Sequence, residues 1–124
     1  MLHRAAYAAL GLGGWSYSAR ECPSDALGEM LDTARHDPGF AGYSLTIPLK
    51  VDVLPLLNDL EPLARSVGAV NTVVPPDGGR LGGSNTVVPG MVAALRGAGV
   101  GTPQRAVVLG PRGSAQQALA ALAE

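Results

Sequence analysis

Apolar residues along the 124-residue chain follow two rhythms, a helical spacing of three and four and a shorter alternation, with turn residues marking each change. Near the start, Leu2, Ala5, Ala6, Ala9 and Leu10 fall at helical spacing and Gly11 stops them, which predicts a short helix. Residues 15–21 alternate loosely between Gly14 and Pro23 and predict a short strand. Ser24-Asp25 gives an N-cap signal for a helix whose apolar face is Leu27, Met30, Leu31 and Ala34, stopped by Asp37-Pro38-Gly39. The clearest strand lies in residues 40–47, as Gly42-Tyr43-Ser44-Leu45-Thr46-Ile47 ended by Pro48. Residues 51–57 and 61–67 read as short helices, the second with Pro62 in its first turn.

The second half is organised around a repeat. Asn-Thr-Val-Val-Pro occurs at residues 71–75 and again at 85–89. The turn-rich connector Pro76-Asp77-Gly78-Gly79 predicts a hairpin of residues 69–74 and 80–83. Residues 88–98 then read as a helix with Met91, Val92, Leu95 and Ala98 inward, closed by Gly99. After a Gly101-Thr102-Pro103 linker, residues 105–109 form a buried-strand pattern running into Gly110, with an Ala-rich helix from Gly113 onward. The fold class expected is α/β, a mixed or mostly parallel sheet flanked by helices over residues 1–100. Residues 101–124 are expected to open a second α/β domain.

Composition narrows the possibilities. Apolar residues at 47% against 15% charged suit a buried α/β core and exclude a disordered chain. The net charge of −1 and scattered basic residues give no nucleic-acid footprint. The single Cys22 excludes an intramolecular disulfide and fits a reducing compartment. No apolar run approaches the roughly 18 residues that span a bilayer. Residues 5–14 after His3-Arg4 read as a helix rather than a signal segment, because no small-residue cleavage site follows a strong Leu-rich core. A cytoplasmic protein is expected. His3 and His36 have no cysteines or acid clusters at ligand spacing, so no metal site is expected.

Few residues can carry chemistry. Lys50 is the only lysine, against eight arginines, and unlike arginine a lysine can be tuned into an acid or base. It lies just past the end of the best strand, where α/β sheets place ligands, yet a solvated surface lysine fits the same pattern. Asn71 and Asn85 each precede Thr-Val-Val, and both turn or capping chemistry and amide recognition of a hydroxylated or carboxylated ligand suit them. For Asn85, capping of the following helix is the leading reading. Gly110-Pro111-Arg112-Gly113-Ser114-Ala115 stands between a strand pattern and a helix, the context of a dinucleotide fingerprint. Arg112 takes the place of the second glycine and Pro111 removes a backbone donor, so an ordinary tight turn explains the loop equally well.

Taken in order, several segments resemble the shikimate dehydrogenase family, whose members reduce 3-dehydroshikimate with NADPH. They are Leu2-His3-Arg4-Ala5-Ala6-Tyr7, Gly42 to Lys50, Gly68-Ala69-Val70-Asn71-Thr72-Val73-Val74, Gly82 to Gly90, and Val107-Val108-Leu109-Gly110. The resemblance implies a substrate domain over residues 1–100 and the opening of a Rossmann NADP-binding domain over 101–124. It implies Lys50 as the catalytic lysine, Thr46, Lys50 and Asn71 as contacts to a shikimate-like substrate, and Gly110, Gly113 and Ser114 as the cofactor loop. It implies no metal, nucleic acid or membrane partner, and it assigns no oligomeric state.

The same resemblance implies a crippled enzyme. Val87 stands where the family has the aspartate that partners the lysine, and loss of general acid–base help typically costs about 10²–10⁴ in rate. Pro111 and Arg112 replace small residues of the phosphate loop. Met1 falls after the family's first strand and paired serines, and Glu124 falls before most of its nucleotide domain. A missing first strand would leave its neighbours in the sheet without a partner. The expectation is a shikimate dehydrogenase-like chain, truncated at both ends and severely impaired. The alternative is a non-catalytic shikimate- or quinate-binding module, or a fragment without function.

Overall fold

The computed structural model describes residues 2–75, 78–101, 105–110 and 112–124. The first helical pattern folds as α1 (Leu2–Ala9), but Leu2 and Leu10 stay exposed and none of the helix is buried. The strand expected over residues 15–21 does not form. A strand exists only through a neighbour's hydrogen bonds, and among the described residues nothing pairs with this segment. It is tied to α1 instead. The Tyr17 ring stacks on His3 with centroids 3.8 Å apart, and the Arg4 guanidinium donates to the Tyr17 carbonyl at 3.2 and 3.3 Å.

Ser24 does not cap the next helix. It opens a 3-10 turn (Ser24–Ala26), and its hydroxyl donates to the Asp52 carboxylate instead of to the helix end. Helix α2 (Leu27–Arg35) then buries Leu27, Leu31 and Ala34 of the face read from the sequence, while its fourth member, Met30, is only partly buried against the core. The strand expected within residues 40–47 shortens to β1 (Tyr43–Ser44). Helix α3 (Leu49–Asp52) and a 3-10 turn (Leu54–Leu56) divide the helix expected over 51–57, with Pro55 at the start of the turn. Between them and α4 (Pro62–Val67) lies β2 (Asp59–Leu60), which no sequence pattern announces. Pro62 occupies the first turn of α4, and Gly68 closes it with φ 67°, a left-handed conformation that suits glycine.

The hairpin forms as β3 (Thr72–Val74) and β4 (Gly82–Ser84), whereas Pro76 and Asp77 of its connector lie outside the described residues. The strands make one mixed sheet in the order β1-β3-β4-β2, with β1/β3 and β3/β4 antiparallel and β4/β2 parallel. Arg80 reaches from the hairpin to Asp59 on β2, where its hydrogen bonds hold the Asp59 carboxyl below the usual carboxylate range. Arg35 ties α2 to the same corner, donating to the Asn58 side chain at 2.6 Å and to the Leu56 and Gly79 carbonyls. Beneath the sheet, Leu27, Leu31, Leu45, Leu49, Val53, Ala64, Val70, Val73 and Leu81 form the main core.

Helices α5 (Val87–Gly97) and α6 (Arg112–Leu122) build a second cluster from Val67, Ala69, Val88 and Ala121. Of the residues expected inward on α5, Met91 and Val92 pack against this cluster, whereas Ala98 is exposed. The buried strand expected at residues 105–109 is not formed. Val107 is 87% and Leu109 92% exposed, because no described strand lies beside them to pair with. The Ala-rich helix that follows does form, with Gln117 only 1% exposed and neither amide atom hydrogen-bonded among the described residues. An unsatisfied buried amide is costly, so Gln117→Leu is expected to stabilise the chain by about 1 kcal/mol. Thermal denaturation should show a rise of roughly 4 °C or more; a fall would mean that the amide is satisfied in the fold.

Candidate functional site

The polar residues singled out in the sequence collect at one end of the sheet. Thr46 and Lys50 follow the C-terminal end of β1. Asn71 immediately precedes β3, and Thr86 and Val87 follow β4. Because β3 runs antiparallel to both β1 and β4, these positions share an edge, beside the aligned residues Ser44, Thr72 and Ser84.

Backbone hydrogen bonds fix the arrangement. Leu45 N–H donates to the Asn71 carbonyl at 2.8 Å, which sets the neighbouring Thr46 against the start of β3. Val70 N–H donates to the Lys50 carbonyl at 2.8 Å, so α3 is sewn to the residue before Asn71. Asn71 N–H donates to the Ser84 carbonyl at 3.1 Å, joining the third corner. Buried Leu45 and Leu49 anchor the segment that carries Thr46 and Lys50, with a cis Ile47–Pro48 peptide between them. Thr46 is exposed and Lys50 half-buried. The ion pairs among the described residues are Arg35–Asp32 at 3.4 Å and Arg80–Asp59 at 2.8 Å, and Lys50 takes part in neither. Val87, half-buried, is the first residue of α5.

The two asparagines of the repeat do different work. Asn85 is 2% exposed and fully committed to structure. Its Nδ2 donates to the Ala69 carbonyl at 2.9 Å, while its Oδ1 accepts from Val87 N–H at 3.1 Å and Val88 N–H at 3.2 Å. Capping of α5, the leading reading of this residue from sequence, is thus what the structure shows. Asn71 is only half-buried, and its amide meets Thr86 twice. Thr86 N–H donates to Asn71 Oδ1 at 2.7 Å, and Asn71 Nδ2 donates to Thr86 Oγ1 at 2.8 Å. The Thr72 and Thr86 hydroxyls also lie 3.3 Å apart. Sequence reasoning alone misses Thr86. The one signal available for it is the threonine that follows asparagine in both copies of the repeat.

The loop at residues 110–114 is placed apart from this cluster. Gly113 and Ser114 sit in the first turn of α6, where helix N–H groups lack intrahelical partners. Pro111 lies outside the described residues. Gly110 is exposed and has open space where a Cβ would project, so nothing in the described packing demands glycine there. A dinucleotide lies in a crevice between strand ends, and no described strand stands beside residues 105–110. The described residues therefore do not form a cradle for that group. No cluster of three metal-ligating side chains occurs among them, and no described helix is long and apolar enough to cross a membrane.

A mixed four-stranded sheet flanked by helices, with Thr46, Lys50 and Asn71 at one end, defines an α/β domain. Comparison with known proteins is specific about which. The family model for the shikimate dehydrogenase substrate binding domain matches residues 1–73, and the chain belongs to the shikimate dehydrogenase family. The NADP(+) shikimate dehydrogenase of Streptococcus pyogenes serotype M49 is 40% identical over 120 residues, 96% of this chain but 40% of that protein. The crystal structure of Thermus thermophilus shikimate 5-dehydrogenase in complex with shikimate superposes with TM-score 0.88 and 40% identity, covering 98% of this chain and 45% of that one. The Aquifex aeolicus enzyme superposes with TM-score 0.86 at 28% identity, covering 98% of this chain and 45% of that one. The chain thus spans less than half the length of these relatives.

Proposed function

We propose that this chain acts as the substrate-recognising part of a shikimate dehydrogenase and binds a shikimate-like hydroxylated acid without turning it over by itself. The observation that carries the reading is the convergence of Thr46, Lys50 and Asn71 at one sheet edge, held by the bonds of Leu45 to Asn71 and Val70 to Lys50. In this reading Asn71 and Thr46 hydrogen-bond ligand hydroxyls, and the Lys50 ammonium donates to a ligand oxygen. The Thermus thermophilus relative, solved with shikimate and again with NADP(H) and shikimate, supports the choice of ligand class.

Completing the reaction asks for more than recognition. The proton at the substrate oxygen must be exchanged as the nicotinamide cofactor takes or gives hydride, the chemistry that group supplies when bound. Lys50 can hold a proton, but Val87, at the position of its partner in this reading, can neither accept a proton nor orient the ammonium. Among the described residues Gly113 and Ser114 lie at one helix N-terminus with no described strand beside residues 105–110, so NADP(H) binding by this chain alone is expected to be negligible. Residues 1–100 are the substrate domain in this reading and 101–124 the opening of the nucleotide domain.

Calorimetric titration tests the binding half. Saturable heat with shikimate, lost in Lys50→Ala, is expected. Absence of heat up to millimolar shikimate would contradict the reading.

A further inference from the structure

Resting on that reading of the site, we infer that Thr86 is a positioning residue, one that sets which way the Asn71 amide faces its ligand. The assignment follows from the chemistry of the clamp. A backbone N–H can only donate, so the Asn71 atom 2.7 Å from Thr86 N must be the amide oxygen. The amide nitrogen is then left toward Thr86 Oγ1 at 2.8 Å, where the hydroxyl oxygen accepts. A flipped amide would set its NH2 against the Thr86 N–H and lose that bond, and the Thr86 hydroxyl holds the nitrogen where the unflipped amide puts it. The 3.3 Å contact with the Thr72 hydroxyl in turn restrains the Thr86 rotamer from β3.

The clamp leaves something free. An amide has two N–H donors and two lone pairs, and Thr86 uses one of each. Among the described residues Asn71 has no other side-chain partner, and it is half-buried at the sheet edge beside the segment carrying Thr46 and Lys50. Asn71 therefore keeps one N–H donor and one oxygen lone pair, which diverge on either side of its Cβ and are fixed in sense. Each matches a ligand hydroxyl, which can accept from the N–H or donate to the oxygen. Asn85, at the same place in the other copy, is 2% exposed, with its oxygen given twice to α5 and one N–H to Ala69, and is closed to a ligand.

Two readouts on the intact chain test this. In ligand-free protein, the NMR signals of the Asn71 side-chain NH2 should show one proton exchanging with water more slowly than its twin. That difference should vanish in Thr86→Val, which keeps shape but lacks the hydroxyl, and return in Thr86→Ser. In shikimate titrations, Thr86→Val should weaken binding about tenfold, the scale of one well-placed hydrogen bond, while Thr86→Ser stays within about twofold of wild type. Equal exchange of the two protons in wild type overturns the inference, and so does wild-type affinity in Thr86→Val. If Thr86→Val does not fold, the wild-type exchange rates and the Thr86→Ser titration decide. Failure of wild type to bind shikimate at all overturns the ligand reading instead, and the proton exchange then judges the clamp by itself.

Discussion

Gly42→Ala is expected to destabilise the chain by about 3 kcal/mol or more, a large part of the roughly 5–15 kcal/mol that holds a typical domain together. Gly42 adopts φ 153°, a region that side chains of the L configuration rarely enter. A Cβ built there would lie 2.6 Å from the Val73 carbonyl oxygen and 3.4 Å from Val74 Cγ1. The nearer obstacle is backbone, and it has nowhere to go. Val73 sits in the central strand, paired with Tyr43 on one side and Gly83 on the other, and is itself fully buried. Relief must come from β1 moving away, which stretches the bond from Leu45 to Asn71 and carries Thr46 and Lys50 off the sheet edge. Urea denaturation measures the loss, and a variant within about 1 kcal/mol of wild type would show that β1 is not held as described.

Val87→Asp, which on the proposed reading restores an acid partner for Lys50, is expected to bring no turnover. The site accepts the change structurally. The position is the first residue of α5, where a negative charge is favoured by the helix dipole, so a folded variant is expected. A carboxylate there would supply the partner that Lys50 lacks, and on its own account that could restore about 10²–10⁴ in rate. On the proposed reading the gain has nothing to act on, because no described strand stands beside residues 105–110 to frame a dinucleotide. A folded, shikimate-binding but inactive variant is the result that fits. Recovery of NADP-dependent oxidation would locate the whole defect at Val87 and place cofactor binding within this chain.

Much of this architecture is legible in the amino-acid pattern. Helix α2 and the β3–β4 hairpin come from signals that are local, a buried face every third or fourth residue and a glycine-rich turn. Pro62 and Gly68 mark the ends of α4 for equally local reasons. What is not legible depends on partners. Residues 15–21 and 105–109 have strand-like sequences, but no described strand is there to accept their backbone groups. Conversely, β2 has almost no strand signature, and Asp59–Leu60 is a strand only because β4 lies alongside. The N-cap reading of Ser24 fails for a similar reason, since Asp52, 28 residues on, takes its hydroxyl.

The candidate site divides in the same way. Lys50 stands out as a lone lysine at a strand's end, and Asn71 and Asn85 stand out by repetition. Sequence cannot separate the two asparagines, because their difference lies in what they touch. Asn85 is folded inward as a cap, whereas Asn71 is left half-open with its orientation fixed by Thr86. A threonine after an asparagine has many ordinary uses, and only the paired contacts of 2.7 and 2.8 Å give Thr86 a particular one.

On the proposed reading, recognition and reaction have come apart in this chain. The most direct measurement is NADP-dependent oxidation of shikimate by the purified, unmodified chain, followed beside an intact relative under the same conditions. No turnover above background is the predicted result. A rate of even a few per cent of the relative's would contradict it.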